Sequence, residues 1–160
     1  MKKSLELMLF AWLLGLVSCL NPANADTPRA TAAQAVAFVQ QGAAYLKQHG
    51  KEKAFAAFND LNGPFVKGEL YFFVYGTNGD GVVLAHGQNP KMLGRHLINL
   101  QDPDGVFIIR EATKIANSPS GKGWLKYRWP NSVTQQVEKK ISYIERVGDV
   151  WIGCGIYPPE

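Results

Sequence analysis

Two amphipathic helices are predicted from the spacing of apolar residues near the start of the chain. Between residues 30 and 48, apolar side chains recur every three or four positions, which places them on one face of a helix. His49 and Gly50 end this helix, since glycine is the usual residue just past a helix C-terminus. A shorter helix is predicted over residues 51–61, and the Asn-Gly-Pro sequence at 62–64 breaks it.

The hydrophobic pattern then changes from helical spacing to strands. Aromatic and β-branched runs bounded by turn residues predict five strands, over residues 69–76, 82–86, 123–129, about 136–147 and 149–157. Most of the strands follow one another through short turns, which indicates hairpins and therefore an antiparallel sheet.

A long excursion separates the second and third predicted strands. Residues 87–105 are rich in turn formers, and a helix is predicted from Asp104 to about Asn117, with Asp104 as its N-cap. Such an excursion can fold over one face of the sheet and roof a pocket. The predicted fold class is α+β: a five-stranded antiparallel sheet, a long N-terminal helix and a helix-containing roof between strands 2 and 3.

Residues 1–25 have the layout of a secretory signal peptide. Two lysines precede a mostly apolar run that is short for a membrane span, and an Ala-Asn-Ala sequence ending at Ala25 offers a cleavage site. A second processing route stays open, because Leu-Val-Ser-Cys ending at Cys19 resembles a lipoprotein signal. In that route residues 1–18 are removed and Cys19 is lipidated. Both routes export the protein, and attachment to a membrane is expected only through that lipid.

Residues 26–160 are long enough for one domain with a hydrophobic core, and no repeat or linker divides them. The whole chain has a formal net charge of +4 at pH 7. Its lysines and arginines are not clustered, and together with export this argues against nucleic-acid binding. The mildly basic balance suits a small organic anion, although most such charges belong to the solvated surface.

Signals for catalysis, metals and cofactors are weak in this sequence. It has no nucleophile or phosphate-loop motif, so no enzyme activity and no cofactor are predicted. The three histidines lack the spacing of metal ligands, and Asp-Pro-Asp-Gly at 102–105 lacks the acidic residue that completes a calcium loop. That sequence is interpreted as a turn. Cys154 lies in an apolar strand and is interpreted as a small buried hydrophobe.

Strand alternation groups the aromatic side chains into candidate pocket faces. Tyr71 shares a strand face with two other aromatic residues, and Tyr127 shares one with Trp129, opposite to Trp124. These faces are compatible with an aromatic pocket under the roof, while core packing explains Tyr71 and Tyr143 equally well. Whether Tyr127 or Trp124 faces the pocket stays open.

Three stretches of the chain occur in a distinctive order. They are ELYFFVYGTNGDGVVLAHGQNPKMLGRHLINLQDPDG, GKGWLKYRWPN and EKKISYIERVGDVWIGCGIY. Together they resemble the single Cache domain, a PAS-like extracytoplasmic sensor module of bacterial receptors, and the resemblance covers most of residues 31–157. The chain departs from the family pattern at Gly76, where Asp is usual, at Gly87, where Pro is usual, and at Cys154, where Ser is usual.

The resemblance adds two polar residues to the candidate pocket. It implies that His86, which ends the second strand, lies near the pocket, and that Lys140 anchors an anionic ligand. Alternation places Lys140 and Tyr143 on opposite faces, so a bulge or twist would be needed for both to line one pocket. The candidate ligand-binding residues are Tyr71, Phe73, His86, Tyr127, Trp129, Lys140 and Tyr143.

The expected function is that of an exported, periplasmic sensor domain that binds a small molecule, with a short organic acid as the favoured ligand. Such domains are commonly joined to a transmembrane helix and a signalling region, which residues 26–160 do not contain. A separate membrane receptor or kinase is therefore the expected partner. The alternative interpretation is a periplasmic protein–protein interaction module without a ligand, in which the aromatic and basic third strand docks a partner.

Overall fold

The computed structural model describes residues 29–159, which include both predicted helices at the start of the domain and all five predicted strands. The signal peptide, the alternative lipidation at Cys19 and the expected domain start at residue 26 lie outside the described residues.

The N-terminal helix α1 runs over Ala32–Asn59 and is interrupted at Gly50, as predicted. It begins with a capping box, in which the Thr31 hydroxyl accepts the Gln34 N–H and the Gln34 side chain accepts the Thr31 N–H. Gly50 has a φ of 76°, a conformation that other residues adopt at a cost, so the helix kinks there.

Within residues 29–159, seven antiparallel strands form two sheets. The small sheet pairs β1 (Val66–Lys67) with β2 (Leu70–Tyr71). The large sheet consists of β3 (Phe73–Gly76), β4 (Val83–His86), β5 (Lys122–Pro130), β6 (Val137–Val147) and β7 (Val150–Ile156). Its strand order is β4-β3-β7-β6-β5. The α+β class and the five-stranded antiparallel sheet are confirmed, while the first predicted strand is divided between β2 and β3.

The excursion between β4 and β5 contains a 3₁₀ helix at Pro90–Met92 and the helix α2 at Ile108–Ala116. The prediction that this helix starts at Asp104 is wrong. α2 begins at Ile108, and Phe107, the residue before it, provides no side-chain cap. The carboxylate of Asp102 instead accepts the N–H groups of Asp104 and Val106, at 3.0 and 2.8 Å. These bonds hold residues 102–105 as a turn, and the interpretation of this sequence as a turn is confirmed.

The large sheet separates two hydrophobic cores. α1 packs against one face, together with a cluster of contacting rings formed by Phe38, Phe58, Phe65 and Phe72. α2 packs against the other face, which carries Phe73, Tyr75, Tyr127 and Trp151, and Tyr71 of β2 belongs to the same core. Only the second face is roofed by the excursion. Within residues 29–159, no helix has the length and apolar character needed to cross a bilayer.

Candidate functional site

A small cavity lies between α2 and the sheet face that α2 covers. Its volume is about 20 Å³, which is room for about one water molecule. Aromatic side chains of the sheet, a histidine and two isoleucines of α2 form its walls: Tyr71, Phe73, Tyr75, His86, Ile108, Ile109, Tyr127 and Trp129. Five of the seven residues selected from the sequence are therefore brought together here.

The strand register explains why these side chains meet. Phe73 pairs with His86 across β3 and β4, and Tyr127 pairs with Lys140 across β5 and β6. Directly paired residues project from the same face of a sheet. Lys140 therefore lies on the same face as Tyr127, and the regular pairing of β5 with β6 includes no bulge.

Tyr143 departs from the sequence expectation. It belongs to the core on the α1 side, where its ring centroid lies 5.2 Å from that of Trp124. Since strand residues alternate with a period of two, Lys140 and Tyr143 must face opposite ways in a regular strand. The structure thus separates Tyr143 from the cavity, and it places Tyr127 rather than Trp124 on the cavity side.

Lys140 is buried, with 1% of its surface exposed. Its Nζ donates a hydrogen bond of 2.8 Å to the Tyr71 hydroxyl and lies 4.1 Å from the centroid of the same ring. Lys140 is not part of the cavity wall but contacts one of its residues, Tyr71, and it also lines a neighbouring hollow of about 310 Å³. Lys140 forms no salt bridge within residues 29–159. Burial lowers the pKa of Lys140 to about 7, because the charged form loses its hydration.

Glycines of β7 make room for the side chains on this face. A Cβ at Gly155 would lie 2.5 Å from Lys140 Cε and would also collide with Ser142 Oγ. A Cβ at Gly153 would collide with the Phe73 ring. Since real Cβ contacts are not this short, glycine at these positions lets the lysine chain and the aromatic ring lie across the strand.

His86 is also buried, and its hydrogen bonding determines its tautomer. Its Nδ1 accepts the Asn89 N–H at 3.1 Å, so the neutral ring carries its proton on Nε2. Burial, together with the nearby Lys140 charge, lowers the pKa of His86 to about 3. Within residues 29–159 the Nε2–H group has no hydrogen-bond partner, and the ring lines the cavity. His86 therefore presents a neutral hydrogen-bond donor at the site.

The tyrosine hydroxyls at the site stay protonated. Burial raises the pKa of both Tyr71 and Tyr127 well above the usual value. The Tyr127 hydroxyl lies 2.9 Å from Ser142 Oγ, and the Tyr71 hydroxyl accepts the bond from Lys140. A phenol that accepts from an ammonium can donate its own proton to a further acceptor.

Several residues around the cavity and around Lys140 are not among the candidates predicted from the sequence. Tyr75 lines the cavity, and strand alternation alone supports it, because it shares a strand face with Phe73. No local sequence pattern marks Ile108 and Ile109 as cavity residues, because only the docking of α2 brings them to the sheet. Tyr157 is fully buried and donates its hydroxyl proton to the Pro130 carbonyl at 2.8 Å. Its ring faces Lys140, with 4.8 Å between Nζ and the ring centroid.

The roof is fastened to the edge strand β5 by two hydrogen bonds. The Asp102 carboxylate accepts the backbone N–H of Arg128 at 2.7 Å, and the Arg128 guanidinium donates to Asp104 at 2.9 Å. Asp102 is buried and Asp104 exposed. These contacts hold the turn before α2 against the sheet and help to close the cavity.

Sequence and family comparisons agree with this architecture. The sequence model of the Cache domain matches residues 31–158. The sensor histidine kinase MctS of Rhizobium johnstonii is 34% identical over 90 residues, which cover 54% of this chain and 18% of the kinase. The chain thus corresponds to less than a fifth of the length of this curated relative.

Solved structures share the fold. A methyl-accepting chemotaxis protein from Vibrio parahaemolyticus superposes with a TM-score of 0.66 at 23% identity, covering 76% of this chain and 84% of that one. A structure described as the basis for carboxylic acid recognition by a Cache chemosensory domain superposes with a TM-score of 0.59 at 24% identity. This superposition covers 78% of the present chain and 84% of the chain in that structure. At such identities the likeness concerns the fold alone.

Proposed function

Because the chain belongs to the Cache domain family, we propose that it is an extracytoplasmic sensor domain that binds a short-chain organic acid and passes the signal to a separate membrane partner. Tyr71, Phe73, His86, Tyr127, Trp129 and Lys140 form the proposed binding site. Tyr143 is left out of it, because its side chain lies in the other core.

The observation that carries this proposal is the buried Lys140 ammonium without a carboxylate partner. A buried charge is costly unless it is paired, and within residues 29–159 no ion pair compensates this one. A carboxylate bound beside Tyr71 would supply the missing negative charge. It would also complete the hydrogen bonding of an ammonium that now has one partner for three donors.

The other polar groups at the site favour the same class of ligand. His86 and the tyrosines are neutral donors, and a carboxylate accepts hydrogen bonds at both oxygens. The rings of Phe73 and Trp129 are suited to cover a short apolar tail.

The size of the cavity favours a ligand with few heavy atoms. Its volume of about 20 Å³ is less than acetate requires, so part of the wall must move outward to admit an acid, and we infer that α2 with Ile108 and Ile109 is the part that moves. α2 is a short helix that the excursion carries onto the sheet, and its displacement would transmit ligand binding to the surface of the domain. Each further carbon in the ligand would require a larger displacement.

Isothermal titration calorimetry of the purified protein with acetate, propionate, lactate and pyruvate tests the proposal. We expect at least one acid to bind, its amide to bind far more weakly, and Lys140→Met to weaken binding by about 100-fold. Lys139→Met is the matched control, since Lys139 is the adjacent residue and is exposed. The absence of binding by all four acids, with no acid retained through purification, would count against the proposal.

A protein–protein interaction module without a ligand is the second candidate function. The small volume of the cavity favours it, and Trp124 on the edge strand is 39% exposed. A hollow of about 310 Å³ borders the same strand, and its lining includes Lys126, Arg128, Lys139 and Lys140. If this function is correct, Trp124→Ala abolishes signalling in cells while the cavity variant Tyr71→Phe leaves it intact.

A further inference from the structure

We propose that the site binds a proton together with the organic acid, and that the proton resides on Lys140 Nζ. This inference rests on the proposed function, since it concerns what accompanies the acid. The occupancy of the site would then depend on the surrounding pH as well as on the concentration of the acid.

Nζ lies among aromatic rings, and Lys140 as a whole is only 1% exposed. Nζ lies 4.1, 4.8 and 5.8 Å from the ring centroids of Tyr71, Tyr157 and Phe73. The Tyr71 hydroxyl is its one hydrogen-bond partner within residues 29–159. Ring faces and one phenol stabilise an ammonium far less than water does, so the empty site favours the neutral amine more than solvent would.

Acidic groups near Lys140 do not compensate its charge. Glu69 is the nearby carboxylate that favours the ammonium, but its Oε1 accepts the Ala30 N–H at 2.8 Å and its Oε2 lies 3.8 Å from Arg29 Nη1. The Cys154 thiol is also close, and burial raises its pKa to about 12, so it stays neutral. The empty site therefore holds no free anion against Nζ.

The remaining titratable neighbours do not exchange protons near neutral pH. His86 of β4 is neutral because burial lowers its pKa to about 3. Three phenols face the lysine, from β2, from β5 and from the residue that follows β7, and burial raises their pKa values above the usual value: Tyr71, Tyr127 and Tyr157. Among these neighbouring groups, Lys140 is therefore the one whose protonation changes near neutral pH.

Binding of an acid shifts Lys140 from the neutral amine to the charged ammonium. With its pKa lowered to about 7, the lysine of the empty site is partly neutral at physiological pH. A carboxylate beside Nζ favours the ammonium, so each acid that binds above pH 7 draws a proton from solvent. The ligand carboxylate is already ionised in this range, because ordinary carboxyl groups titrate below pH 5.

Because binding requires a protonated Lys140, the affinity for the acid should fall as the pH rises above 7. Above pH 7 the fraction of protonated Lys140 in the empty site falls about tenfold per unit, and the affinity for the acid falls with it. Between pH 6.5 and 8.5 the Kd should therefore rise roughly 20-fold. Below pH 6 the lysine is charged before the acid arrives, and the affinity should no longer depend on pH.

Calorimetry in buffers of different ionisation enthalpy measures the coupling directly. Acetate, propionate, lactate and pyruvate are titrated into the protein in PIPES, HEPES and Tris at pH 7.5. We expect more than half a proton to be taken up per acid bound, and uptake to vanish near pH 5.5. Binding without proton uptake, with a Kd that is constant from pH 6.5 to 8.5, would overturn the inference while leaving the proposed function intact.

A second measurement tests the inference even if none of these acids binds. In the acid-free protein with ¹⁵N-labelled lysine, the Nζ resonance of Lys140 is identified by its loss in Lys140→Met. We expect it to titrate near neutral pH, several units below an ordinary lysine. A Lys140 that titrates above pH 10 would overturn the inference whatever the ligand.

Discussion

Lys140 crosses β7 at Gly155, where an added Cβ would lie 2.5 Å from the lysine Cε. This close approach allows a lysine on β6 to extend past the neighbouring strand and reach the Tyr71 hydroxyl on β2. The position of the ammonium therefore depends on the absence of a side chain on a different strand.

Gly155→Ala should displace Lys140 from Tyr71. The new methyl group would collide with Lys140 and Ser142, so we expect acid binding to be lost and the free energy of unfolding to fall by about 1–3 kcal/mol. Cys154→Ala is the control, because this residue faces the other core. Calorimetry and urea denaturation measure the two effects, and unchanged acid affinity in Gly155→Ala would contradict the expected role of the glycine.

Lys140→Met should change how stability depends on pH. Because the pKa of Lys140 is about 7 in the folded protein and about 10.5 in the unfolded chain, the unfolded state holds more protons between these values. Stability of the wild-type protein should therefore rise with pH there, by roughly 1.5 kcal/mol between pH 7 and 8.5.

Urea denaturation of the acid-free proteins at several pH values measures this dependence. Lys140→Met should lack the rise that Lys140 causes and should be more stable than the wild-type protein below pH 7, where the buried charge costs most. Lys139→Met, at an exposed position, should keep the wild-type profile. Identical profiles for all three proteins would contradict the perturbed titration of Lys140.

His86 should remain neutral, with its proton on Nε2, down to about pH 5. Its pKa is lowered to about 3 by burial and by the charge of Lys140, and Asn89 fixes the tautomer. Long-range ¹H–¹⁵N NMR spectra distinguish the two tautomers and the charged ring, and His86→Gln assigns the signals. Protonation of His86 near pH 6.5 would show that the site is open to water.

Asp102→Ala should release the roof from β5. The change leaves three backbone N–H groups without their carboxylate, so we expect the free energy of unfolding to fall by about 2–3 kcal/mol. Asp104→Ala removes only an exposed ion pair with Arg128 and should cost less than about 1 kcal/mol. Equal losses in the two variants would show that Asp102 does not fasten the roof.

Local patterns predicted most of the fold because they report short-range geometry. The break at Gly50, the turn residues between strands and the period-two runs predicted the N-terminal helix, the five strands of the large sheet and the fold class, while the short strand β1 was not predicted. The start of α2 was misjudged at Asp104, because a turn and a helix cap use the same residue types.

The candidate site was predictable where it depended on strand faces. Alternation grouped Tyr127 with Trp129 and separated Lys140 from Tyr143, and the structure keeps both relationships. Ile108 and Ile109 could not be found in this way, since they reach the cavity through the docking of a distant helix.

The sequence alone determined which residues share a face, since a strand residue cannot change sides without a bulge. It also supported membership of a sensor family before any contact was known. Only the tertiary structure decided that α2 covers the Tyr127 face, that Gly155 opens a path for Lys140, and that its ammonium lacks an acidic partner within residues 29–159. These properties depend on which segments pack together in space, and burial and pairing follow from that packing rather than from local sequence.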